Sequence, residues 1–395
     1  MAVNPTNIAP TLLDLKRSQQ KIIFDRFNVK VKSKVITSME SSGEGEKKIP
    51  VGNIITGTRS EYTGTYPDGT ASGELLFPDN FTRYWDTCSC NNPFKWRYGE
   101  TSPGYFRWDA AKYVYNFTLD NNMDFYYHTL VWGKSAQGFP TWFSGLTISE
   151  SFSALRGWLH EINKQFPDVT GFNGLNEPSD GHADSTSVLV NQLSSGFDRG
   201  STPTLSSMAY NVFLLAKQFL SGAGPEPQQK VFYVNDYAML SNESVRSQIC
   251  TLVNDVNTRF DEQKRLGPFP GKAPDGSDDW LEGPLIGAIG CQSHYFNIDD
   301  LNNVQITAAL DDIQNKLDRK LPVYITELDI SGNNDQHVGV ANFSEDLQLQ
   351  RFIEIFPALY NHPSVERITY WGYITGETWR YDSGYDTGLI NRDGT

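Results

Sequence analysis

Residues 171–180 read GFNGLNEPSD, and the stretch closes an apolar run that begins at Val169 with a carboxylate, Glu177. A run of this length and composition predicts a buried strand of a larger sheet. A charge at its end needs either a buried partner or a chemical task, because a lone carboxylate is costly to take out of water.

The pattern recurs along the chain. Apolar runs at 51–58, 84–88, 124–132, 230–237, 286–296, 322–330 and 367–373 join 169–177 as candidate strands. Amphipathic segments at 109–121, 151–166, 204–221, 243–264, 306–318 and 345–360 lie between them as candidate helices, the last opened by Ser344 as an N-cap with Glu345 and Asp346 behind it. Eight strands alternating with helices predict an α/β fold, a closed (β/α)8 TIM barrel. The rival, a doubly wound open sheet, favours a glycine-rich phosphate turn after its first strand, and neither G-x-G-x-x-G nor a P-loop occurs. Residues 1–48 precede the first strand: 12–27 have helical character, 28–39 alternate like a strand, and 41–48 form a polar linker. They are expected to be an N-terminal extension packed on a barrel domain of residues 49–395.

With 38% hydrophobic and 13% aromatic residues among 395, the chain can bury a sizeable core. A net charge of −14 argues against nucleic acid or an anionic membrane surface as partner, and no apolar stretch reaches 18 residues. The start, MAVNPTNIAP, carries no signal-peptide pattern, so an exported, monomeric protein whose leader is not part of this chain is the expectation. Cys88, Cys90, Cys250 and Cys291 lack metal-site spacing and read as free thiols. No metal and no cofactor are expected.

In such barrels chemistry gathers at the C-terminal ends of the strands. Seven of the eight candidates deliver polar or aromatic groups there. They are Asn92, Lys95 and Trp96; His128 and Trp132; Asn176 and Glu177; Asn235, Asp236 and Tyr237; Gln292 and His294; Glu327 and Asp329; Trp371, with Trp379 following. Glu177 and Glu327 both close apolar strands. A pair of carboxyls is what hydrolysis of a glycosidic bond demands, one to protonate the departing oxygen and one to attack the anomeric carbon or activate water. Tryptophans suit the apolar faces of sugar rings, and Asn, Gln, His and Lys suit their hydroxyls.

Over residues 50–385 the chain resembles glycoside hydrolase family 10, the endo-β-1,4-xylanases. NEP at 176–178 is similar to the family's acid/base motif and ITELDI at 325–330 to its nucleophile motif. NxxKW (92–96), HTLVW (128–132), NDY (235–237), QSH (292–294) and WGYITGETW (371–379) follow in family order. The resemblance implies a retaining enzyme, with Glu177 as general acid/base and Glu327 as nucleophile, acting on xylan or xylo-oligosaccharides. It implies that Asn176 and His128 contact the sugar at the cleavage point, that Asn92 and Lys95 bind the next sugar, and that Trp371 and Trp379 wall the site above Trp132. His294 would orient Glu327 with Gln292 nearby and Asp329 behind, while Gln137 and Tyr237 complete the substrate-binding set. Retention requires the two carboxyls to lie about 5–5.5 Å apart, and Glu177 must start protonated, its pKa raised by the charge on Glu327.

The chain departs from the family pattern in four places. Asn91 stands where a glutamate is usual, Gly133 replaces the histidine after HTLVW in a longer loop, CSC occupies 88–90, and the loop from Ser179 to Gly196 is unusually polar. A related barrel β-glycosidase acting on glucan or aryl glycosides is the alternative. A catalytically silent carbohydrate-binding barrel is a further one, although both carboxylates are retained.

Overall fold

The computed structural model describes residues 49–55, 81–179, 181–195, 203–221, 230–266, 269, 279–333 and 343–391. The proposed extension at 1–48 and the tail of the first strand candidate at 56–58 lie outside them. The barrel strands are β1 (Val51–Ile55), β2 (Thr87–Cys90), β3 in two pieces (Asp124–Tyr127 and Val131–Trp132), β4 (Gly171–Asn176), β5 (Val231–Asp236), β6 (Ala288–Cys291), β7 (Val323–Leu328) and β8 (Val365–Tyr370). Every neighbouring pair is parallel, β1 pairs with β8, and the first piece of β3 pairs with both β2 and β4, so the sheet closes. The interruption in β3 is bridged from β4, whose Asn173 carbonyl accepts from the Leu130 N–H at 2.8 Å and from Thr129 Oγ1 at 2.9 Å.

The strands are buried on both faces, which is why they read as apolar runs rather than as alternations. Outside the barrel lie α1 (Asp109–Asp120), α2 (Ile148–Gln165), α3 (Leu205–Leu220), α4 (Glu243–Leu266), α5 (Asn303–Lys316) and α6 (Glu345–Asn361). Capping boxes fix two of their starts, Thr147 with Glu150 and Asn302 with Gln305. Along α2, Phe152, Leu155, Trp158, Leu159 and Ile162 recur at helical spacing and turn to the core. Trp158 stacks against Trp96 and Trp108 at 5.8 and 5.1 Å, and each such side chain contributes about 1.5–3 kcal/mol by leaving water. A Cβ at Gly99 would meet the Trp158 ring at 2.5 Å, so Gly99→Ala would break this packing.

Several strand boundaries differ from the expectation, as in β8, which spans 365–370 rather than 367–373, and two of the shifts come from short helices. β2 begins at Thr87 because Phe81–Tyr84 coils into a helical turn that buries both aromatics against Tyr373. β6 ends at Cys291, and Tyr295–Ile298 forms a short helix instead of continuing the strand. The polar loop after Glu177 holds a helix the sequence pattern hid, Thr186–Leu193, anchored by buried Leu189 and Leu193. Gln192 Nε2 holds that helix to the Phe143 and Leu146 carbonyls at 2.9 and 3.2 Å.

Candidate active site

Parallel closure puts the C-terminal ends of all the strands on one rim, and two backbone turns there bring extra side chains inward. Successive strand residues face opposite sides, so Asn176 and Glu177 could not both point into the site on a regular strand. Glu177 adopts a left-handed φ of 49°, held by its N–H donating to the Asn235 carbonyl at 2.7 Å. Ser293, between Gln292 and His294, does the same with a φ of 65°. Such conformations cost roughly 1–3 kcal/mol each outside glycine and concentrate where a site over-determines them.

Glu327 closes β7 and is buried. Its Oε1 accepts from Asn235 Nδ2 at 2.8 Å, and its Oε2 lies 3.2 Å from His294 Nε2. The other His294 nitrogen meets Asp329 Oδ2 at 2.9 Å, and Asp329 also accepts from Trp379 Nε1 at 2.7 Å and the Tyr295 N–H at 2.6 Å. Burial disfavours charge on His294, but Asp329 and Glu327 outweigh it and raise its pKa to about 10. The ring is therefore an imidazolium donating to both carboxylates. Asn235 is a hub: Nδ2 also donates to Asn176 Oδ1 at 2.8 Å, while its Oδ1 accepts from Thr326 Oγ1 at 2.6 Å. Asn173 adds a second donor to Asn176 Oδ1 at 2.8 Å and approaches His128 Nδ1 at 3.2 Å. Burial, with Lys95 and His294 nearby, holds His128 well below the ordinary histidine range, so its ring is neutral and accepts at Nδ1.

Glu177 is equally buried. Gln292 Nε2 donates to its Oε1 at 2.7 Å, and Trp132 Nε1 donates to its Oε2 at 2.9 Å. The third contact is one the sequence did not reveal: His182 Nδ1 lies 2.5 Å from the same Oε2. Burial pushes the Glu177 carboxyl up, but the hydrogen bond and charge of His182, with Gln292 and Trp132, carry it below its ordinary value. The same hydrogen bond raises His182. The expected picture of a carboxyl raised by Glu327 is thus corrected: contact with His182 holds Glu177 below its ordinary value and His182 above its own.

The loop that delivers His182 is stapled to the segment after β3. Lys134 Nζ donates to the His182 carbonyl at 3.0 Å, the Ser185 N–H donates to the Gly133 carbonyl at 2.8 Å, and Asp184 accepts from the Ser135 N–H at 2.8 Å. A Cβ at Gly133 would lie 2.4 Å from Thr186 Oγ1 and 2.8 Å from its Cα. Glycine stands at 133 because the loop fills the space a side chain would need. At the root of the loop, Ser179 donates through N and Oγ to Asp236 at 2.9 and 2.7 Å. Burial raises the Asp236 carboxyl to about 6 against these bonds.

On the other side, Lys95 Nζ donates to Asn91 Oδ1 at 2.8 Å and Asn92 Oδ1 at 3.0 Å, and sits 4.8 Å from the Trp132 ring centre. Burial lowers its pKa to about 8, opposed by Glu327 and Glu177. His128 meets Trp371 edge-on at 5.2 Å and His294 meets Trp379 at 4.8 Å, so the paired tryptophans flank the nucleophile side. Tyr237 lies beside His182, with rings 5.8 Å apart. Gln292, expected near Glu327, bonds to Glu177 instead, although its carbonyl accepts the Glu327 N–H at 3.0 Å. Gln137 stands exposed on the turn after Lys134, and among the described residues no hydrogen bond joins its side chain to the pair. Among the described residues no cluster of metal-ligating side chains occurs.

A closed barrel carrying two buried carboxylates, amides and tryptophans on one rim has the architecture of a glycosidase. The profile of glycosyl hydrolase family 10 matches residues 59–393, and the chain belongs to that family. It is similar to endo-1,4-beta-xylanase B of Cellvibrio japonicus, 28% identical over 326 residues that cover 82% of this chain and 43% of that protein. The chain thus spans less than half the length of that relative. Among solved structures, a family 10 protein from Paenibacillus barcinonensis superposes with a TM-score of 0.65 at 18% identity, covering 88% of this chain and 92% of that one. Xylanase 10B from Thermotoga petrophila, solved with xylobiose, gives 0.58 at 20% identity, covering 88% and 90%. At these identities the structures show the barrel.

Proposed function

We propose that residues 49–395 form one catalytic domain that hydrolyses internal β-1,4-xylosidic bonds of xylan by double displacement. The observation that carries this reading is the pair Glu177 and Glu327, buried at the ends of β4 and β7, with Asn235 Nδ2 donating both to Glu327 and to Asn176, the residue before Glu177. Glu327 attacks the anomeric carbon, its charge held toward the substrate by the Asn235 amide and the His294 imidazolium. The bond to the leaving oxygen breaks as Glu177 supplies a proton. Water then enters, gives its proton back to Glu177 and releases the sugar with retained configuration. Asn176 and His128 bind hydroxyls of the sugar at the cleavage point. Asn92 and Lys95 hold the next sugar, Trp371 and Trp379 face the rings, Trp132 underlies them, and Tyr237 and Gln137 lie on the leaving-group side. The family relationship and the xylanase relative support the sugar and the linkage. An acidic, exported monomer working without a cofactor or metal accords with a polysaccharide substrate.

Product analysis on xylan, xylohexaose and cellohexaose tests the reading. Internal cleavage of xylohexaose with the β-anomer formed first is expected, and Glu177→Ala and Glu327→Ala should keep oligosaccharide binding while losing turnover. A 2-fluoro-xylobioside with a good leaving group should esterify Glu327, seen as a mass shift on the peptide containing it. Faster cleavage of cellohexaose than of xylohexaose would overturn the substrate, and an α-anomer formed first would overturn the mechanism.

A further inference from the structure

His182 is the titratable side chain in contact with the buried pair that the mechanism above does not use. Its Nδ1 lies 2.5 Å from Glu177 Oε2, closer than Trp132 or Gln292 approach that carboxyl. The Glu177 side chain is 7% exposed, whereas that of His182 is 52% exposed. One ring therefore spans from the buried carboxyl to solvent. The loop carrying it is fixed by the Lys134, Ser135 and Gly133 contacts, and the ring is flanked by Tyr237 at 5.8 Å and Trp132 at 6.5 Å. With Gln292, Trp132 and His182 all pointing donors at Glu177, the free carboxyl is solvated as an anion, which suits a base and opposes an acid.

We propose that His182 is a positioning and proton-holding residue for Glu177: it stores on Nδ1 the proton that Glu177 passes to the leaving oxygen, and takes it back afterwards. This rests on the double-displacement reading. In the first step the bond between the anomeric carbon and the leaving oxygen breaks with its electron pair going to oxygen. Glu177 gives that oxygen a proton as His182 Nδ1 gives its own to Glu177. In the second step the attacking water loses a proton to Glu177, which returns one to His182, so the cycle consumes only water. The groups facing the pair are Trp132 and Lys134 from β3 and the turn after it, Asp236 at the end of β5 with Tyr237 following, and Gln292 just after β6. Lys134 opposes the charge on His182 and Asp236 favours it. Lys95, on the other side of the site, interacts with Glu177 and Glu327 by charge. The pair retains its transferable proton until the His182 imidazolium is deprotonated, which the hydrogen bond to Glu177 shifts upward from the ordinary histidine value. Without the ring, the proton is lost when Glu177 itself ionises.

The test uses His182→Asn and His182→Gln in the full chain, with kcat/KM measured from pH 4 to 9. Xylotetraose needs its leaving oxygen protonated, and 2,4-dinitrophenyl xylobioside does not. kcat/KM reports the step through first bond cleavage. The expected result is a basic limb on xylotetraose moved down by a pH unit or more, and a xylotetraose-to-dinitrophenyl ratio reduced at least tenfold at pH 7. Equal losses on both substrates with an unmoved limb would overturn the proposal. Titration of His182 by NMR in the unmutated chain is the second readout, and it does not depend on any variant folding. Its pKa should lie above 6.5 and fall in Glu177→Gln, and an ordinary value in both would also overturn the proposal. If the chain cleaves no β-xyloside but the NMR coupling stands, the double-displacement reading fails instead.

Discussion

Replacing Asn235 by aspartate keeps the shape of the hub and reverses one of its donors. Asn235 Nδ2 lies 2.8 Å from Glu327 Oε1 and 2.8 Å from Asn176 Oδ1, in a fully buried position. In Asn235→Asp an oxygen takes that place and faces two acceptors. Two unit charges at this separation repel by about 6 kcal/mol at an effective dielectric near 20. At about 1.4 kcal/mol per pH unit, that shifts ionisation of the second carboxyl by roughly four units. The site escapes the repulsion by keeping one proton between the two carboxyls, which restores a hydrogen bond and removes the negative charge from the nucleophile. The acid limb of kcat/KM on 2,4-dinitrophenyl xylobioside should therefore rise by several pH units. At pH 6, with the limb moved up by about four units from the ordinary glutamate value of about 4.3, the loss should be about a few hundredfold, partly recovered in alkali. Asn235→Ala is the control: it removes a donor worth about 1.5–3 kcal/mol to a charged acceptor without adding a charge, so its limb should move by no more than one or two units. Both are read as pH profiles with thermal melts at each pH. A folded Asn235→Asp protein with an unmoved acid limb would refute the placement of Asn235 against Glu327.

Three further outcomes follow from the same geometry. In Asp329→Asn the His294 imidazolium loses its main partner. Because folding raises His294 from 6.5 to about 10, its stabilisation is complete below 6.5 and lost as pH rises through 10, so the melting-temperature deficit of the variant should be largest at pH 6 and vanish above pH 10. In Asn91→Asp a carboxylate would sit 2.8 Å from Lys95 Nζ, whose pKa burial lowers to about 8, so xylobiose affinity of the unmutated chain should weaken above pH 8 while that of the variant holds past pH 9, measured by calorimetry. Gly181 has a φ of +120°, which an L side chain rarely adopts, so Gly181→Ala should cost about 1–3 kcal/mol in a melt and lower the xylotetraose-to-dinitrophenyl ratio in the same direction as His182→Asn, because it moves the adjacent ring.

The residues that were legible in the sequence share a physical property: each stands on or next to a strand whose period fixes where it points. Glu327 on β7 and Asn176 on β4 follow from an apolar run ended by a polar group, and closure of the barrel brings such ends together whatever the intervening distance in sequence. The body of helix α2 was equally legible because its apolar spacing announces its face, whereas its expected start at 151 missed the turn that Thr147 and Glu150 cap. Boundaries were less so. Phe81 and Tyr84 are as apolar as strand residues, and the helical turn they form packs on partners distant in sequence, Tyr373 nearly 300 residues away among them. Gln137 fits a family position by spacing, but the turn around it is set by backbone hydrogen bonds to Lys134, and the side chain is left exposed on the turn.

His182 belongs to neither case. It sits in a polar loop with no period, so its direction is decided by a glycine with positive φ at 181 and by contacts to a segment some fifty residues earlier. The sequence did hold one half of the signal. Gly133 follows an apolar, aromatic strand end, at a position where neither a turn nor a positive φ calls for glycine, and an unexplained glycine implies that something packs where its side chain would be. The structure supplies that something: the backbone of Thr186, four residues beyond His182. A missing side chain on one loop and an added histidine on the next are thus one event in space. The loop that excludes a side chain at 133 is the loop that sets an imidazole on Glu177. Enlarging Gly133 should therefore act on proton transfer at a distance: Gly133→Ala should push Thr186 outward, release His182, and reproduce the lowered basic limb of His182→Asn with the ring still present. An unchanged limb in a folded Gly133→Ala protein would separate the two features and leave the glycine as packing alone.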